Sequence, residues 1–244
     1  MEIGAGLGSL TLALAETGAN VTAVEIDSGL MPLLRSVVEA QGVRVIQGDA
    51  LRLDWSELLA SSSSDPTGDR TSWALVSNLP YNVATPVVAM VLDEVPDIKR
   101  LVVMVQREVG ERLAAHVGDS AYGAVSVKIA YHAKASLLGH VPPTVFMPRP
   151  NVASVIVGID RRDAPAVDPS IVSHDRFFEV VRAGFSHRRK MLRRSLAGVV
   201  EPDAFDAASV SPTLRAEDLD VCAWGRLAGW RGPTKLSPDS RVRP

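Results

Sequence analysis

Residues 1–106 alternate between short apolar runs and longer stretches in which apolar positions recur at intervals of three and four. Short runs bounded by turn residues are typical of buried parallel strands, and the longer period is typical of helices. We predict strands over Val21–Glu25, Val43–Gln47, Trp73–Ser77 and Leu101–Gln106. We predict helices over Leu10–Thr17, Gly29–Gln41 and Val83–Leu92. This alternation predicts a doubly wound α/β sheet whose ligands bind at the carboxyl ends of the strands.

The pattern changes in the second half of the chain. Ala135–His140 and Ala153–Ile159 flank a proline-rich link, and we predict that they close the sheet as a hairpin. The pattern then becomes helical and predicts helices over Asp175–Gly184, Arg188–Val199 and Glu217–Trp230.

These elements suggest a large sheet domain followed by a small all-helical domain. We place the sheet domain at residues 1–160, a linker at 161–173, the helical domain at 174–232 and a flexible tail at 233–244. The polar stretch Ser61–Arg70 is predicted to be a flexible loop inside the first domain.

Composition limits the class of protein. The chain has 244 residues, of which 46% are hydrophobic, and this is ordinary for a globular protein with a core. No apolar run approaches the ~20 residues of a membrane span, and the chain does not begin with a secretory pattern. The single cysteine, Cys222, cannot form an internal disulfide, which suits a reducing compartment. We therefore expect a monomeric cytoplasmic protein without a membrane span or a metal site.

The net charge of −2 conceals an asymmetry between the two halves of the chain. Residues 1–100 hold 6 of the 26 Lys and Arg residues but 13 of the 28 Asp and Glu residues. Residues 182–194, named here the basic segment, contain no acidic residue. Its cations are Arg182, Arg188, Arg189, Lys190, Arg193 and Arg194. An acidic half joined to a dense basic run suggests a catalytic domain attached to a surface that contacts a polyanion.

A glycine-rich turn opens the chain directly before the first predicted helix. Its glycines, Gly4, Gly6 and Gly8, follow the spacing GxGxG, which is associated with methyltransferases. A dinucleotide-binding turn would place the third glycine one position later, where Ser9 stands. Glycines at a strand-to-helix turn allow positive φ and let the backbone approach a ligand closely.

Acidic residues follow the next two strands. Glu25, with Ile26 beside it, ends the second strand, where a carboxylate can accept from both ribose hydroxyls of a nucleoside cofactor. Asp49, with Ala50 beside it, follows the third strand and can accept from the adenine amine of the same cofactor. The remaining acid, Asp27, is predicted to cap the following helix.

The fourth strand ends in the motif Asn78-Leu79-Pro80-Tyr81. The N6 amine of adenine is a poor nucleophile, because its lone pair is delocalised into the ring. An enzyme can counter this by accepting hydrogen bonds from both N–H groups of the amine. The Asn78 side-chain carbonyl can supply one acceptor, and the backbone carbonyl of either Leu79 or Pro80 can supply the other. Tyr81 offers an aromatic face for stacking an extruded base.

Together with residues further along the chain, these motifs resemble the KsgA/RsmA family of ribosomal RNA adenine dimethyltransferases. The resemblance covers nearly the whole chain, including the helical region. The further motifs are Val105-Gln106-Arg107-Glu108-Val109, Arg112-Leu113, Tyr122-Gly123, Ser126-Val127, Val141-Pro142-Pro143, Phe146-Met147-Pro148-Arg149-Pro150, Ser154, Phe185-Ser186-His187-Arg188-Arg189-Lys190, Leu192 and Arg215-Ala216-Glu217-Asp218-Leu219.

The resemblance implies a Rossmann-like fold and an enzyme that uses S-adenosyl-L-methionine to dimethylate two adjacent adenosines near the 3′ end of small-subunit ribosomal RNA. It implies that the cofactor binds at Gly4, Glu25, Asp49 and Asn78, with Asn78 shared with the target base. It further implies that an aromatic pair, Tyr81 and Phe146, holds that base. RNA is expected to contact the basic segment and one further arginine, Arg149.

The chain departs from the family pattern at several positions. Asn151 and Ala153 stand where the family usually has Lys and Asp, which puts substrate-loop contacts there in doubt. Arg194 replaces a usual Asn and makes the basic segment more positive. Family members also carry a segment before the first strand, whereas Met1 stands inside that strand here. We expect this shortened first strand, Met1–Ile3, to weaken both the sheet and the cofactor site.

Three other functions share part of this pattern. A resistance-type enzyme that methylates large-subunit RNA has a similar first half, but it is not expected to carry the Arg188-Arg189-Lys190 signature. A DNA adenine methyltransferase typically has proline in place of Leu79. A non-catalytic RNA-binding assembly factor could keep the fold without turnover, although the intact Asn78-to-Tyr81 motif favours an enzyme.

Overall fold

The computed structural model describes residues 1–60, 72–147, 149–187, 189–230 and 232. The chain divides into two compact units, Met1–Ala166 and Val167–Pro244. The division falls inside residues 161–173, the stretch predicted as a linker. The exact limits of the two predicted domains stay predictions. The predicted flexible loop Ser61–Arg70 and the predicted tail at 233–244 lie outside the described residues. No helix in the described part of the chain has the length and apolar character needed to cross a membrane.

The described residues of the first unit form seven strands. They are β1 (Glu2–Ile3), β2 (Thr22–Glu25), β3 (Arg44–Gln47), β4 (Trp73–Asn78), β5 (Ile98–Gln106), β6 (Ala133–Val141) and β7 (Ser154–Arg161). The pairs β1–β2, β2–β3 and β4–β5 are parallel, whereas β7 is antiparallel to both β5 and β6. The predicted closing hairpin is therefore confirmed.

Backbone hydrogen bonds of the amino-terminal residues join the strands β1–β3 to the strands β4–β7. Val76 of β4 donates its backbone N–H to the Met1 carbonyl at 2.9 Å, and the Met1 amine donates to Ala74 at 3.0 Å. On the other side, Gly4 donates to the carbonyl of Val24 in β2 at 2.8 Å. The strands consequently follow the spatial order β3-β2-β1-β4-β5-β7-β6, and the predicted Rossmann-like methyltransferase fold is confirmed.

Six α-helices lie in the part of this unit that the structure describes. They are α1 (Ser9–Glu16), α2 (Met31–Val38), α3 (Trp55–Ala60), α4 (Ala84–Glu94), α5 (Arg107–Ala114) and α6 (Ala124–His132). Short 3₁₀ turns cover Glu39–Gln41 and Pro143–Val145. The apolar face of α4 is fully buried and includes Val87, Val88 and Val91. Burial of such side chains contributes about 1.5–3 kcal/mol each, so the helix is held mainly by its contact with the core.

The prediction that Asp27 caps the second helix is wrong. Helix α2 begins at Met31 with Leu30 as its N-cap residue, and Asp27 lies in the turn before it. The Asp27 carboxylate accepts from the Gly29 N–H at 2.8 Å, and its carbonyl accepts from the Leu30 N–H at 3.2 Å. Aspartate readily forms this local turn, because its short side chain reaches the backbone two residues ahead.

A half-buried arginine closes the carboxyl end of α4. Arg161, the last residue of β7, donates to the carbonyl oxygens of Val91, Leu92, Val95 and Ile98 at 2.7–3.1 Å. The last carbonyls of a helix lack a following turn of N–H donors, and one planar guanidinium reaches two of them here, those of Val91 and Leu92.

The second unit is helical. It contains α7 (His174–Phe185), α8 (Leu192–Ser195), α9 (Asp203–Ala207) and α10 (Val221–Gly229), with a 3₁₀ turn at Ala216–Asp218. Ser173 caps α7, since its hydroxyl accepts from the Arg176 N–H at 3.4 Å. Trp224 packs directly on Gly184, where a Cβ would lie 2.3 Å from the indole ring.

Two predicted helices in this unit are corrected. The prediction of one helix over Arg188–Val199 is wrong, because within residues 189–199 the α-helix is confined to Leu192–Ser195. The backbone N–H groups of Leu192 and Arg193 instead donate to Leu214 and Pro212 at 2.7 and 3.0 Å. The predicted helix over Glu217–Trp230 is interrupted after its first turn, and α10 starts anew behind Asp220. The Asp220 carboxylate caps it by accepting from the Ala223 N–H at 2.7 Å.

Candidate active site

The glycine-rich turn between β1 and α1 uses backbone angles that favour glycine. Gly4, Gly6 and Gly8 have φ values of +74°, +56° and +85°. Packing adds a second requirement at two of these positions. A Cβ on Gly4 would lie 3.2 Å from Cδ of Pro80, and one on Gly8 would lie 2.8 Å from Cγ1 of Val38. The turn is therefore pressed against both the Asn78-to-Tyr81 motif and α2.

Glu25 fastens this turn to the end of β2. Its side chain is buried, and one carboxylate oxygen accepts from the Gly6 N–H at 2.8 Å. The other oxygen accepts from the Asp27 N–H at 2.9 Å. A carboxylate offers about four lone-pair sites, so each oxygen retains capacity for a ribose hydroxyl.

The loop after β3 presents the third predicted acid. Asp49 is half-buried, and its Oδ1 accepts from the Leu51 N–H at 3.0 Å. The loop is tied to β2 because the Gly48 N–H donates to the Glu25 carbonyl at 2.9 Å. Ala50 is buried, and its carbonyl accepts from the Trp55 indole N–H at 3.0 Å.

These loops surround a pocket of about 180 Å³ at the carboxyl ends of the strands. Its lining comprises Ile3, Gly4, Val24, Ile26, Gly48, Asp49, Ala50, Leu51, Pro80, Asn82, Val83 and Val87. Ile26 and Leu51 are 63% and 40% exposed, so apolar surface that a purine could cover is available here. The chemistry fits a nucleoside cofactor, since the Asp49 carboxylate lines the pocket as an acceptor and apolar walls flank it. Glu25 is not among the lining residues but ends β2 between two of them, Val24 and Ile26.

A second pocket, of about 320 Å³, is built on the Asn78-to-Tyr81 motif. Its lining comprises Asn78, Leu79, Pro80, Tyr81, Phe146 and Pro150. Phe146, which the resemblance implies holds the base together with Tyr81, is one of these lining residues, and its role stays a prediction. Pro80 lines both pockets and thus forms part of the wall between them.

Backbone hydrogen bonds fix the conformation of the motif. The buried Leu79 donates its N–H to Met104 of β5 at 3.1 Å. The Pro80 carbonyl accepts from both Val83 and Ala84 at 3.1 Å, which starts α4. The Asn78 side chain is exposed and forms no hydrogen bond with another described residue. Its carboxamide is consequently available to a ligand in the pocket.

Tyr81 is held by a residue distant in sequence. Its hydroxyl lies 3.1 Å from Oγ of Ser154, which is buried at the start of β7. Sequence reasoning noted Ser154 only as part of a motif and gave it no role. The contact fixes the Tyr81 ring at the pocket and ties the motif to the antiparallel strand β7.

Sequence reasoning also missed a buried carboxyl below the glycine-rich turn. Glu2 of β1 is 2% exposed and accepts from the hydroxyl of Thr11 in α1, which is fully buried. Burial raises the pKa of the Glu2 carboxyl to about 7, although the Thr11 hydrogen bond opposes that rise. An acid in an apolar strand directly before the glycines was the available signal.

The residues predicted to contact RNA lie on the surface of their units. Arg149 is exposed next to Pro150 in the first unit. In the second unit, Arg182, Arg189, Lys190, Arg193 and Arg194 are all exposed. Within the described residues, none of these five forms an ion pair. Arg188 lies outside the described residues.

The fold and the two adjoining pockets define a Rossmann-like methyltransferase whose cofactor is S-adenosyl-L-methionine. A family model for ribosomal RNA adenine dimethylases matches residues 1–228. The chain belongs to this family.

Curated relatives agree with this assignment. The chain is 44% identical to ribosomal RNA small subunit methyltransferase A of Cutibacterium acnes over 234 residues, covering 91% of this chain and 75% of the relative. It is also 44% identical to the protein of that name from Thermobifida fusca over 242 residues, covering 95% and 79%.

Two crystal structures share the fold at low identity. A dimethyladenosine transferase from Plasmodium falciparum superposes with a TM-score of 0.71 at 23% identity, covering 93% of this chain and 86% of that one. The 23S rRNA methyltransferase ErmE gives 0.67 at 24% identity, covering 93% and 88%. These likenesses concern the fold alone.

Proposed function

We propose that this protein dimethylates the N6 amines of two adjacent adenosines near the 3′ end of small-subunit ribosomal RNA. It acts as a cytoplasmic monomer during subunit assembly and takes each methyl group from S-adenosyl-L-methionine. The observation that carries this proposal is the position of the Asn78-to-Tyr81 motif. It lies at the end of β4, with Pro80 lining both the cofactor pocket and the neighbouring pocket.

Hydrogen bonding around the motif narrows the choice of acceptors for the adenine amine. The Asn78 side-chain oxygen is available, whereas the Pro80 carbonyl already accepts from two N–H groups at the start of α4. This engagement favours the Leu79 carbonyl as the second acceptor. Two acceptors that bind both N–H groups draw the nitrogen toward a tetrahedral geometry and free its lone pair for attack.

The remaining side chains of this pocket hold the base. Tyr81, anchored by Ser154, and Phe146 offer aromatic surface on which an extruded adenine can stack. The bound cofactor supplies an electrophilic methyl group on a sulfonium. Glu25 and Asp49 orient it through its hydroxyl and amine groups, with Gly4, Gly6, Gly8, Ile26 and Ala50 shaping the site. Little acid–base chemistry is then required, so positioning accounts for most of the rate.

The basic segment, together with Arg149, supplies the RNA contacts. Exposed Arg and Lys side chains without ion-pair partners among the described residues are free to bind phosphate. Phosphate contacts of this kind give affinity and orientation, whereas the base pocket selects adenine.

The test is methyl transfer to purified small subunits that lack the modification, using labelled cofactor and mapping of the modified nucleosides. We expect N6,N6-dimethyladenosine at two adjacent positions near the 3′ end of the RNA. Label in large-subunit RNA instead would favour the resistance-type activity. Tight binding of subunits and cofactor without any transfer would identify a non-catalytic assembly factor.

A further inference from the structure

Trp55 occupies an unusual place beside the cofactor pocket. It is the first residue of α3, is 6% exposed and belongs to the main apolar core. The amino-terminal end of α3 is fixed because the Asp54 carboxylate accepts from the Glu57 N–H at 3.0 Å. The indole N–H points back to the loop after β3 and donates to the Ala50 carbonyl at 3.0 Å.

The bond from Trp55 controls one peptide group of that loop. The peptide that links Ala50 and Leu51 is held at both ends, by the indole at its carbonyl and by Asp49 at its N–H. The Leu51 N–H donates to Oδ1 of Asp49 at 3.0 Å. The Asp49 carboxylate is therefore oriented mainly by this peptide, which the Trp55 indole holds in place. Arg52 also approaches it, with Nε 3.6 Å from Oδ2, but this side chain is 86% exposed and its ion pair is weak.

The backbone of the loop does not provide another donor for the Ala50 carbonyl. Arg52 and Leu53 donate their N–H groups to the Asp49 carbonyl at 2.8 and 3.1 Å, which closes the turn. Among the described residues, no backbone N–H donates to the Ala50 carbonyl. A buried carbonyl without a donor is costly, so loss of the indole N–H favours rotation of the peptide toward another partner.

We propose that Trp55 is a positioning residue that sets the selectivity of the cofactor pocket for the adenine amine. It acts through the Ala50–Leu51 peptide by holding the Asp49 carboxylate where that amine must donate. This inference rests on the cofactor assignment and does not depend on the identity of the RNA substrate.

The experiment measures cofactor-product binding by calorimetry on the full chain without RNA. The two probes are S-adenosylhomocysteine and S-inosylhomocysteine, which has a carbonyl in place of the adenine amine. Trp55→Phe keeps an aromatic ring in the core but removes the N–H donor. Trp73→Phe, at the start of β4, is the matched control for loss of a buried indole.

We expect Trp55→Phe to weaken binding of S-adenosylhomocysteine by about 3- to 10-fold, the usual worth of one hydrogen bond. Binding of the inosine compound should stay within about 2-fold of the parent, since it offers no amine to Asp49. The ratio of the two affinities therefore falls in Trp55→Phe and is unchanged in Trp73→Phe. Equal weakening of both probes would show that Trp55 only fills the core and would overturn the proposal.

A second variant keeps the test decisive if Trp55→Phe lowers the thermal midpoint. Asp49→Ala removes the acceptor on which Trp55 is proposed to act, so it should abolish the preference for the adenine compound. Adding Trp55→Phe to Asp49→Ala should then leave the affinity ratio unchanged. A further change in that ratio would show that Trp55 acts independently of Asp49, contrary to the proposal.

Discussion

The first unit binds its cofactor at the carboxyl ends of its strands, through a site that includes Glu25 and Asp49 and is named here the strand-end site. This site and the basic segment of the second unit differ in how their polar groups are held. In the strand-end site, both oxygens of Glu25 and one oxygen of Asp49 already accept backbone N–H groups. In the basic segment, the described cations are exposed and have no ion-pair partner among the described residues. Only the backbone is fixed there, through bonds such as that from Leu192 to Leu214.

This difference separates two kinds of recognition. Groups with fixed partners impose a geometry, and a small displacement of one of them costs a large part of the function. Exposed cations act additively through charge, and each contributes a similar share to the affinity for a polyanion. Substitutions in the strand-end site should therefore give abrupt losses, whereas those in the basic segment should give graded, salt-dependent ones.

The largest expected effect is at the catalytic motif. Asn78→Ala should lower the rate of methyl transfer by about 10²–10³, the usual cost of losing one preorganised electrostatic contact. RNA affinity should stay close to that of the parent, because the basic segment is intact. Single-turnover kinetics and a filter-binding titration measure the two quantities. Asn20→Ala, an exposed position before β2, is the matched control. More than half of the parent activity in Asn78→Ala would refute the assignment.

The basic segment should respond to charge in a graded way. Replacing Arg189, Lys190 and Arg193 by alanine should reduce the slope of log affinity against log salt by about 2 to 3 units. The same three substitutions should weaken binding at moderate salt by about 10- to 100-fold. The control replaces three exposed cations of the first unit, Lys99, Arg100 and Lys134. An unchanged salt slope would indicate that the basic segment is only a solvated surface.

The effect on activity of the contact between Gly4 and Pro80 can be measured separately from the effect of backbone strain at a positive φ. Gly4→Ala should reduce methyl transfer by about 5- to 100-fold, since the new Cβ would lie 3.2 Å from Cδ of Pro80 and crowding of this kind costs ~1–3 kcal/mol. Gly42 has nearly the same φ, +75°, but a Cβ there would meet no atom within 4 Å. Gly42→Ala therefore carries the strain alone. Equal activity in the two variants would argue against a role for the Pro80 contact.

The hydrogen bond between Tyr81 and Ser154 should make the effects of substituting the two residues on kcat/KM non-additive. Tyr81→Phe and Ser154→Ala each remove one side of the same hydrogen bond, and each should lower kcat/KM by about 3- to 10-fold. The double variant should be no worse than either single variant. Full additivity, measured in the same double-mutant cycle, would mean that the hydroxyls act separately.

The buried Glu2 should make stability depend on pH. Its pKa of about 7 lies above the ordinary 4.5, so the folded state binds the proton more tightly than the unfolded state. The resulting stabilisation is complete below pH 4.5 and is lost as the pH rises through 7. Glu2→Gln keeps an acceptor for Thr11 and should be more stable than the parent by about 2–4 kcal/mol at about pH 8, but not at about pH 4. Urea unfolding at both pH values, with exposed Glu16→Gln as control, measures the difference.

Local sequence predicted the parts of the site that neighbouring residues determine. The glycine spacing, the acids at the ends of β2 and β3, and the Asn78-to-Tyr81 motif each sit at a strand end, so their position follows from the strand pattern. Contacts between distant segments could not be predicted in this way. Tyr81 and Ser154 are 73 residues apart, and the helical period of residues 188–199 gave no sign that Leu192 would bond to Leu214.

The wall that the two pockets share has a consequence for engineering. Pro80 lines both cavities, and its ring lies against Gly4, where even a methyl group would crowd it. The volume available to a transferable group and the volume available to a base are therefore linked through one side chain. A variant designed to accept a cofactor analogue with a longer alkyl chain should gain its space at position 80, and any such gain will also change which bases fit.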